Sequence, residues 1–258
     1  NPTIDVLQEK MAILQGPESS LAMASGMATV AASIRLCAKA GDHVIVTDKI
    51  FVVSRSFFLD ECPAMGIEVS FVDMLDLDKV RDAIQPNTKA LFAETITNPQ
   101  MCVVDLTGLK KIASDNHLSF IVDNTYLGPY LLQPIEFGAD LILDSATKYL
   151  SGHGDAVGGV LCGSQKLMSE ARATMSSFGQ CISPFNAWLI LRGIRTLPLR
   201  MRQHSKNALA LAKMLKNHDK VDWVRYAGTP ESNQTELIEK QFPQGCGGML
   251  SFNIKGEP

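Results

Sequence analysis

Apolar side chains at Ile4, Leu7, Met11 and Leu14 recur at helical spacing, which sets them on one face of a helix that Gly16-Pro17 ends. Beyond Pro17 the period changes. Short apolar runs at Leu21–Ala24, His43–Thr47, Ile67–Val72, Ala90–Ala93, Ser119–Val122, Leu141–Leu143 and Gly159–Cys162 have the length of buried strands. Most are separated by helical stretches such as Ala28–Ala38, Leu77–Ile84 and Leu106–Asn116. Strands alternating with helices predict βαβ crossovers, hence an α/β fold with a mainly parallel sheet covered on both faces. In such sheets ligands sit beyond the carboxyl ends of the strands.

A long helical stretch follows from Pro184 to Lys216, with breaks expected near Gly193 and Pro198. Val221–Tyr226, Glu231–Gln241 and Gly248–Ile254 then read as strand, helix and strand. The division expected is a large domain over residues 1–190, with 191–258 forming a linking helix and the start of a smaller C-terminal domain, a unit that Pro258 leaves incomplete.

Composition narrows the function classes. The chain has 258 residues, 46% hydrophobic and 20% charged, and no apolar run reaches the ~20 residues of a membrane span. A net charge of −3, with Lys and Arg dispersed, argues against nucleic acid as a partner. Six cysteines stand far apart with no C-x-x-C pair, as in a reducing compartment, so a cytoplasmic protein is expected. Asn1 in place of Met suggests that residues are missing ahead of it.

Chemistry gathers at the strand ends. Ser25-Gly26-Met27 opens a helix after the first strand, where glycine admits close approach and free N–H groups favour an anion; the same residues also suit a plain strand-to-helix turn. No G-x-G-x-x-G or G-x-x-x-x-G-K-[ST] occurs, against dinucleotide and nucleotide-triphosphate binding. Asp123 can hold a ring nitrogen protonated, or cap the next turn. In Asp144-Ser145-Ala146-Thr147-Lys148 two hydroxyls precede a lysine, a pattern able to bind phosphate beside an amine that forms an imine, and the apolar strand before Lys148 makes it a poor plain surface charge. Asn98 either donates to a phenolate-like oxygen or belongs to an ordinary Asn-Pro turn. His153 and Asp155 lack a third partner at ligand spacing, so no metal is expected.

Together these segments resemble the Cys/Met-metabolism enzymes dependent on pyridoxal phosphate (PLP), the fold-type I group of cystathionine γ-synthase, the γ-lyases and the O-acylhomoserine sulfhydrylases. The resemblance rests on Asn-Pro-Thr at 1–3, Ala-Ser-Gly-Met at 24–27, Gly-Asp-His at 41–43, Glu94 with Asn98-Pro99, Val-Asp-Asn-Thr at 122–125, Ser-Ala-Thr-Lys at 145–148, Ser-Gly-His-Gly-Asp at 151–155 and Leu-Arg-Gly at 191–193. It implies a mainly parallel seven-stranded sheet and pyridoxal 5′-phosphate as cofactor. Lys148 would carry the cofactor and shuttle protons. Asp123 would pair with the ring nitrogen; Gly26 and Met27 by their N–H groups, with Ser145 and Thr147 by their hydroxyls, would bind the phosphate. Asn98 would contact the 3′-oxygen, Thr125 would lie close to the ring, and Phe51 would stack on it.

One departure bears on activity. Many members have Tyr-Gly-Gly-Thr where this chain has Phe51-Val52-Val53-Ser54, and Phe51 lacks a phenol that could protonate a leaving group. An acyl-oxygen leaving group needs little such help. Phe51 and Ser183-Pro184-Phe185-Asn186-Ala187-Trp188 look like the O-succinylhomoserine sulfhydrylases, although Val52-Val53 lacks their glycine. The resemblance thus implies a γ-replacement enzyme of transsulfuration and methionine biosynthesis, making homocysteine from an O-acylhomoserine and sulfide. Methionine or cystathionine γ-lyase, cystathionine γ-synthase, or a non-catalytic PLP-binding homologue are the alternatives. A homodimer or homotetramer is implied too, because family sites are completed by a neighbouring chain. The family's N-terminal arm, with a Tyr and an Arg, and its arginine for the substrate carboxylate fall outside these 258 residues.

Overall fold

The computed structural model describes residues 1–229 and 234–256. Strands β1 (Ser19–Met23), β2 (His43–Thr47), β3 (Glu68–Val72), β4 (Thr88–Glu94), β5 (Ser119–Asp123), β6 (Leu141–Asp144) and β7 (Gly159–Gly163) form one seven-stranded sheet in the order β1-β7-β6-β5-β4-β2-β3. Its neighbours β2, β3, β4, β5 and β6 pair in parallel, and β7 runs antiparallel to both β1 and β6. The mainly parallel sheet expected from the sequence is therefore present.

Why these strands are apolar throughout follows from which way alternate residues point. Ile45, Leu91, Phe120, Val122 and Ile142 enter one core with Leu7 and Met11 of the helix Pro2–Gln15, Leu109 of Leu106–Asp115 and Ile190 of Pro184–Ile194. Their neighbours Val44, Val46, Phe92, Ile121, Leu143 and Leu161 enter a second core with Val30 and Ile34 of Gly26–Cys37 and Met168 and Met175 of Gln165–Phe178. Each fully buried Val, Leu or Ile stabilises the fold by about 1.5–3 kcal/mol, so both faces must be covered.

Several boundaries differ from expectation. Hydrogen bonding extends β4 to Glu94, β5 to Asp123 and β6 to Asp144, carrying each of these carboxylates to a strand terminus. The helix Gln165–Phe178, capped by Ser164 and ended by left-handed Gly179, was not among the segments singled out. Gly193 does not interrupt its helix, which runs to Ile194; the break lies at Arg195-Thr196. Pro198 sits in the first turn of Leu197–Lys216, where a missing N–H removes no helical bond.

Toward the C-terminus β8 (Val221–Arg225) and β9 (Ser251–Ile254) form an antiparallel pair. The intervening helix is Thr235–Gln241; its expected start at Glu231 lies outside the described residues. β9 begins three residues later than expected, and Gly248 ahead of it lies close to His204 and Tyr149. Gln241 ties this segment to the main sheet layer: its oxygen accepts from Leu106 N–H at 2.9 Å and its amide donates to Val104 O at 3.0 Å. No described helix is long and apolar enough to cross a membrane.

Candidate active site

The carboxyl ends of β4, β5 and β6 and the turn after β1 open into a cavity of about 680 Å³. Gly26, Met27, Phe51, Asn98, Asp123, Thr125, Ser145, Thr147 and Lys148, the residues expected there from the sequence, all line it.

One wall can receive an anion. Ser25 caps the helix Gly26–Cys37, its hydroxyl accepting from Ala28 N–H at 3.1 Å. The N–H groups of Gly26 and Met27, in the first turn, have no intrahelical acceptor and carry the positive end of the helix dipole. Glycine at 26 is a packing requirement, since a Cβ there would lie 2.8 Å from Ser145 Cβ. Helix start and Ser145 hydroxyl thus converge. Thr147 lines the same wall, and its hydroxyl also meets Gly158, donating to its O at 3.2 Å and accepting from its N–H at 3.1 Å, which secures the loop.

Opposite lies a chain of polar contacts. Asp123 Oδ1 accepts from Thr125 N–H at 2.9 Å, and Thr125 Oγ1 accepts from Ser145 N–H at 2.8 Å, linking β5 to the lysine loop. Burial raises the Asp123 carboxyl above the usual carboxylate range, and the hydroxyl and N–H of Thr125 pull it back. Glu94 is buried beside it. Its Oε1 accepts from Phe51 N–H at 2.9 Å, whereas Oε2 has no hydrogen-bond partner among the described residues. Burial first, then the charge of Asp123, raises Glu94 as well. Two carboxyls pushed upward in one cavity form a setting in which a cationic ring nitrogen would be held strongly.

Lys148 follows Ser145 in a tight loop, with Lys148 N–H on Ser145 O at 3.0 Å and Gly152 N–H on Lys148 O at 2.8 Å. Contrary to the expectation of an apolar setting, its side chain is exposed, because the cavity is open on that side. The loop is fixed from behind. Arg200 donates to Tyr149 O and Gly193 O, both at 2.8 Å, and Gly193 lies directly against the carbonyls of Leu150 and Ser151. His153 Nδ1 donates to Ser151 O at 2.6 Å, a loop contact; no metal-binding cluster occurs among the described residues.

Phe51, 38% exposed, forms the wall nearest Glu94. Sequence reasoning missed Val30, Ser54, Tyr126, Tyr149, His204 and Met249, which also line it. Tyr126 and Tyr149 adjoin motifs and were open to discovery. His204 meets Tyr149 edge-on, ring centroids 5.3 Å apart, from the distant helix Leu197–Lys216, and has no local signal.

The cavity fits pyridoxal phosphate: an anion cradle that a Cβ at Gly26 would fill, a carboxyl for a ring nitrogen, and a lysine in the same space. Comparison with known proteins agrees. The model of the family described as Cys/Met metabolism PLP-dependent enzyme matches residues 1–258. An L-methionine gamma-lyase of Treponema denticola is 37% identical over 99% of this chain and 65% of its own length. An O-succinylhomoserine sulfhydrylase of Pseudomonas aeruginosa is 40% identical over 99% of this chain and 63% of its own. A cystathionine gamma-lyase of Bacillus subtilis is 41% identical over 100% of this chain and 68% of its own. The chain thus spans about two thirds of the length of these curated relatives.

Proposed function

The chain belongs to the Cys/Met metabolism PLP-dependent enzyme family, and from that premise we propose that the whole protein catalyses γ-replacement, forming homocysteine from an O-acylhomoserine and sulfide. Pyridoxal 5′-phosphate is the cofactor the family implies. When bound, it supplies an electron sink for charge developing at the substrate's α-carbon.

The roles assigned to this chain's residues are these. Lys148 carries the cofactor, and its amine takes and returns protons at the substrate's Cα and Cβ. Asp123, oriented by Thr125 N–H, holds the ring nitrogen protonated. The N–H groups of Gly26 and Met27 and the hydroxyls of Ser145 and Thr147 bind the phosphate, and Thr147 also ties the loop to Gly158. Asn98 reaches the 3′-oxygen. Residues 1–190 act as the cofactor domain and 191–258 as the link to a smaller one.

The observation that carries the choice of reaction is Phe51 on the cavity wall beside Glu94. A phenylalanine supplies apolar surface for a ring but no proton for a departing thiolate, whereas a carboxylate leaves from Cγ without one. A γ-lyase reading is supported by the L-methionine and cystathionine gamma-lyases among the relatives. Comparing sulfide-dependent homocysteine formation from O-succinyl- and O-acetylhomoserine with α-keto acid release from methionine separates the two. Faster keto acid release would overturn the proposal. Phe51→Tyr should raise thiol elimination. We further propose that the protein works as a homodimer or homotetramer in the cytoplasm; light scattering of a monomeric active form would refute the first.

A further inference from the structure

We propose that Asp144 is held as the neutral acid, its proton given to Gln15 Oε1, and that it acts as a positioning residue which leaves Asp123 without a competing carboxylate charge from β6. The benefit to Asp123 rests on the cofactor reading above; the protonation itself does not.

Asp144 and Asp123 end adjacent strands but face opposite ways. Asp144 falls on the side of Ile142, toward the core containing Leu7 and Met11, and Asp123 on the side of Ile121. Asp123 lines the cavity and Asp144 does not. Asp144 is instead sealed beneath the last residue of the first helix, with Gln15 0% exposed and Asp144 1% exposed.

Gln15 Nε2 donates to Asp144 Oδ2. Gln15 Oε1 and Asp144 Oδ1 are both buried without a hydrogen-bond partner among the described residues. With an anionic Asp144 two acceptors would be stranded away from water, a costly arrangement. One proton on Oδ1 directed at Oε1 satisfies both and closes an acid–amide pair with two hydrogen bonds. The titratable groups around it are Asp123 on β5 and the buried thiol of Cys162 on β7, and no Lys, Arg or His makes an ion pair with Asp144 among the described residues. Burial, then the charge of Asp123, pushes the Asp144 carboxyl up to about 7, against the single bond from Gln15. A charged Asp144 would raise Asp123 in turn and add a second negative charge to the field at a ring nitrogen, moving its titration.

Asp144→Asn retains one donor and one acceptor, so it can replace the neutral acid in both bonds. Isotope-edited infrared spectra of the full chain at about pH 6 should contain a protonated-carboxyl band that Asp144→Asn removes and Asp123→Asn leaves in place. A carboxyl raised from 3.8 to about 7 stabilises the fold fully below its unfolded pKa and loses that contribution as pH rises to its folded pKa. The melting temperature of Asp144→Asn relative to wild type should therefore climb between about pH 4 and about pH 7 and level off above that. In the cofactor-loaded protein the pH midpoint of the visible spectrum should be unchanged by Asp144→Asn. Absence of the band, a gap in melting temperature that does not vary with pH, or a spectral midpoint displaced by about one unit or more would each overturn the proposal. Should Asp144→Asn not fold, carboxyl titration of aspartate-labelled Asp123→Asn protein decides: every carboxyl ionised well below neutral pH refutes it. The infrared and melting measurements need no cofactor, so they stand or fall apart from the reading of the site.

Discussion

Gly193→Ala tests whether the lysine loop is positioned by the helix behind it. Helix propensity alone favours alanine by about 1 kcal/mol. Against this, the added Cβ would lie 2.7 Å from Leu150 O and Ser151 C and closer still to Ser151 O. Those atoms are backbone and cannot rotate aside, and Ser151 N–H is bonded to Ala146 O at 3.0 Å, so the loop must move as a body. Overpacking of this kind costs about 1–3 kcal/mol, and at the upper end the net loss is about 2 kcal/mol. For a chain of this size that lowers the melting temperature by about 4–8 °C. The displaced segment carries Lys148, so covalent retention of PLP, fixed by borohydride and read by mass spectrometry, should fall with it. Thermal unfolding of the cofactor-free protein and borohydride labelling supply the two measurements. An alanine variant as stable as wild type and labelled to the same extent would refute the reasoning.

Lys148→Ala should abolish both the visible absorbance of bound cofactor and borohydride labelling while leaving the fold intact, since the lysine is exposed; label retained at another lysine would remove its assignment. Gln241→Ala strands Leu106 N–H and Val104 O in a buried place, at about 1–3 kcal/mol each, so denaturant unfolding should detect a loss of about 2–6 kcal/mol; a change below ~1 kcal/mol would contradict the tie. Glu94 is raised by burial and by Asp123, so its contribution is complete at acid pH and is lost as pH rises through the folded value. Glu94→Gln should therefore flatten the decline of stability between about pH 4.5 and about pH 8, and a steeper decline there would show the shift to have the opposite sign.

The sequence by itself determined the strands, their mainly parallel arrangement and the identity of most cavity residues. Contiguous apolar runs such as Val44-Ile45-Val46 arise because both faces of a strand are buried, and caps such as Ser25 act within one helical turn; such signals are local. The βαβ alternation sets Asp123 and the loop of Lys148 at strand ends, and the family resemblance assigns both to one site, whose cavity they line. Only the tertiary structure decided between neighbours that look alike in the chain. Asp123 and Asp144 both end strands, yet one opens on the cavity and the other is sealed by Gln15, a difference set by which helix covers which face. Thr147 turned out to bind Gly158, and Gly193 to admit the loop it touches rather than to break a helix. His204 arrives from a helix more than fifty residues beyond Lys148. Contacts over such separations depend on how helices dock across the sheet, and pattern along the chain specifies that a face is buried without specifying what will bury it.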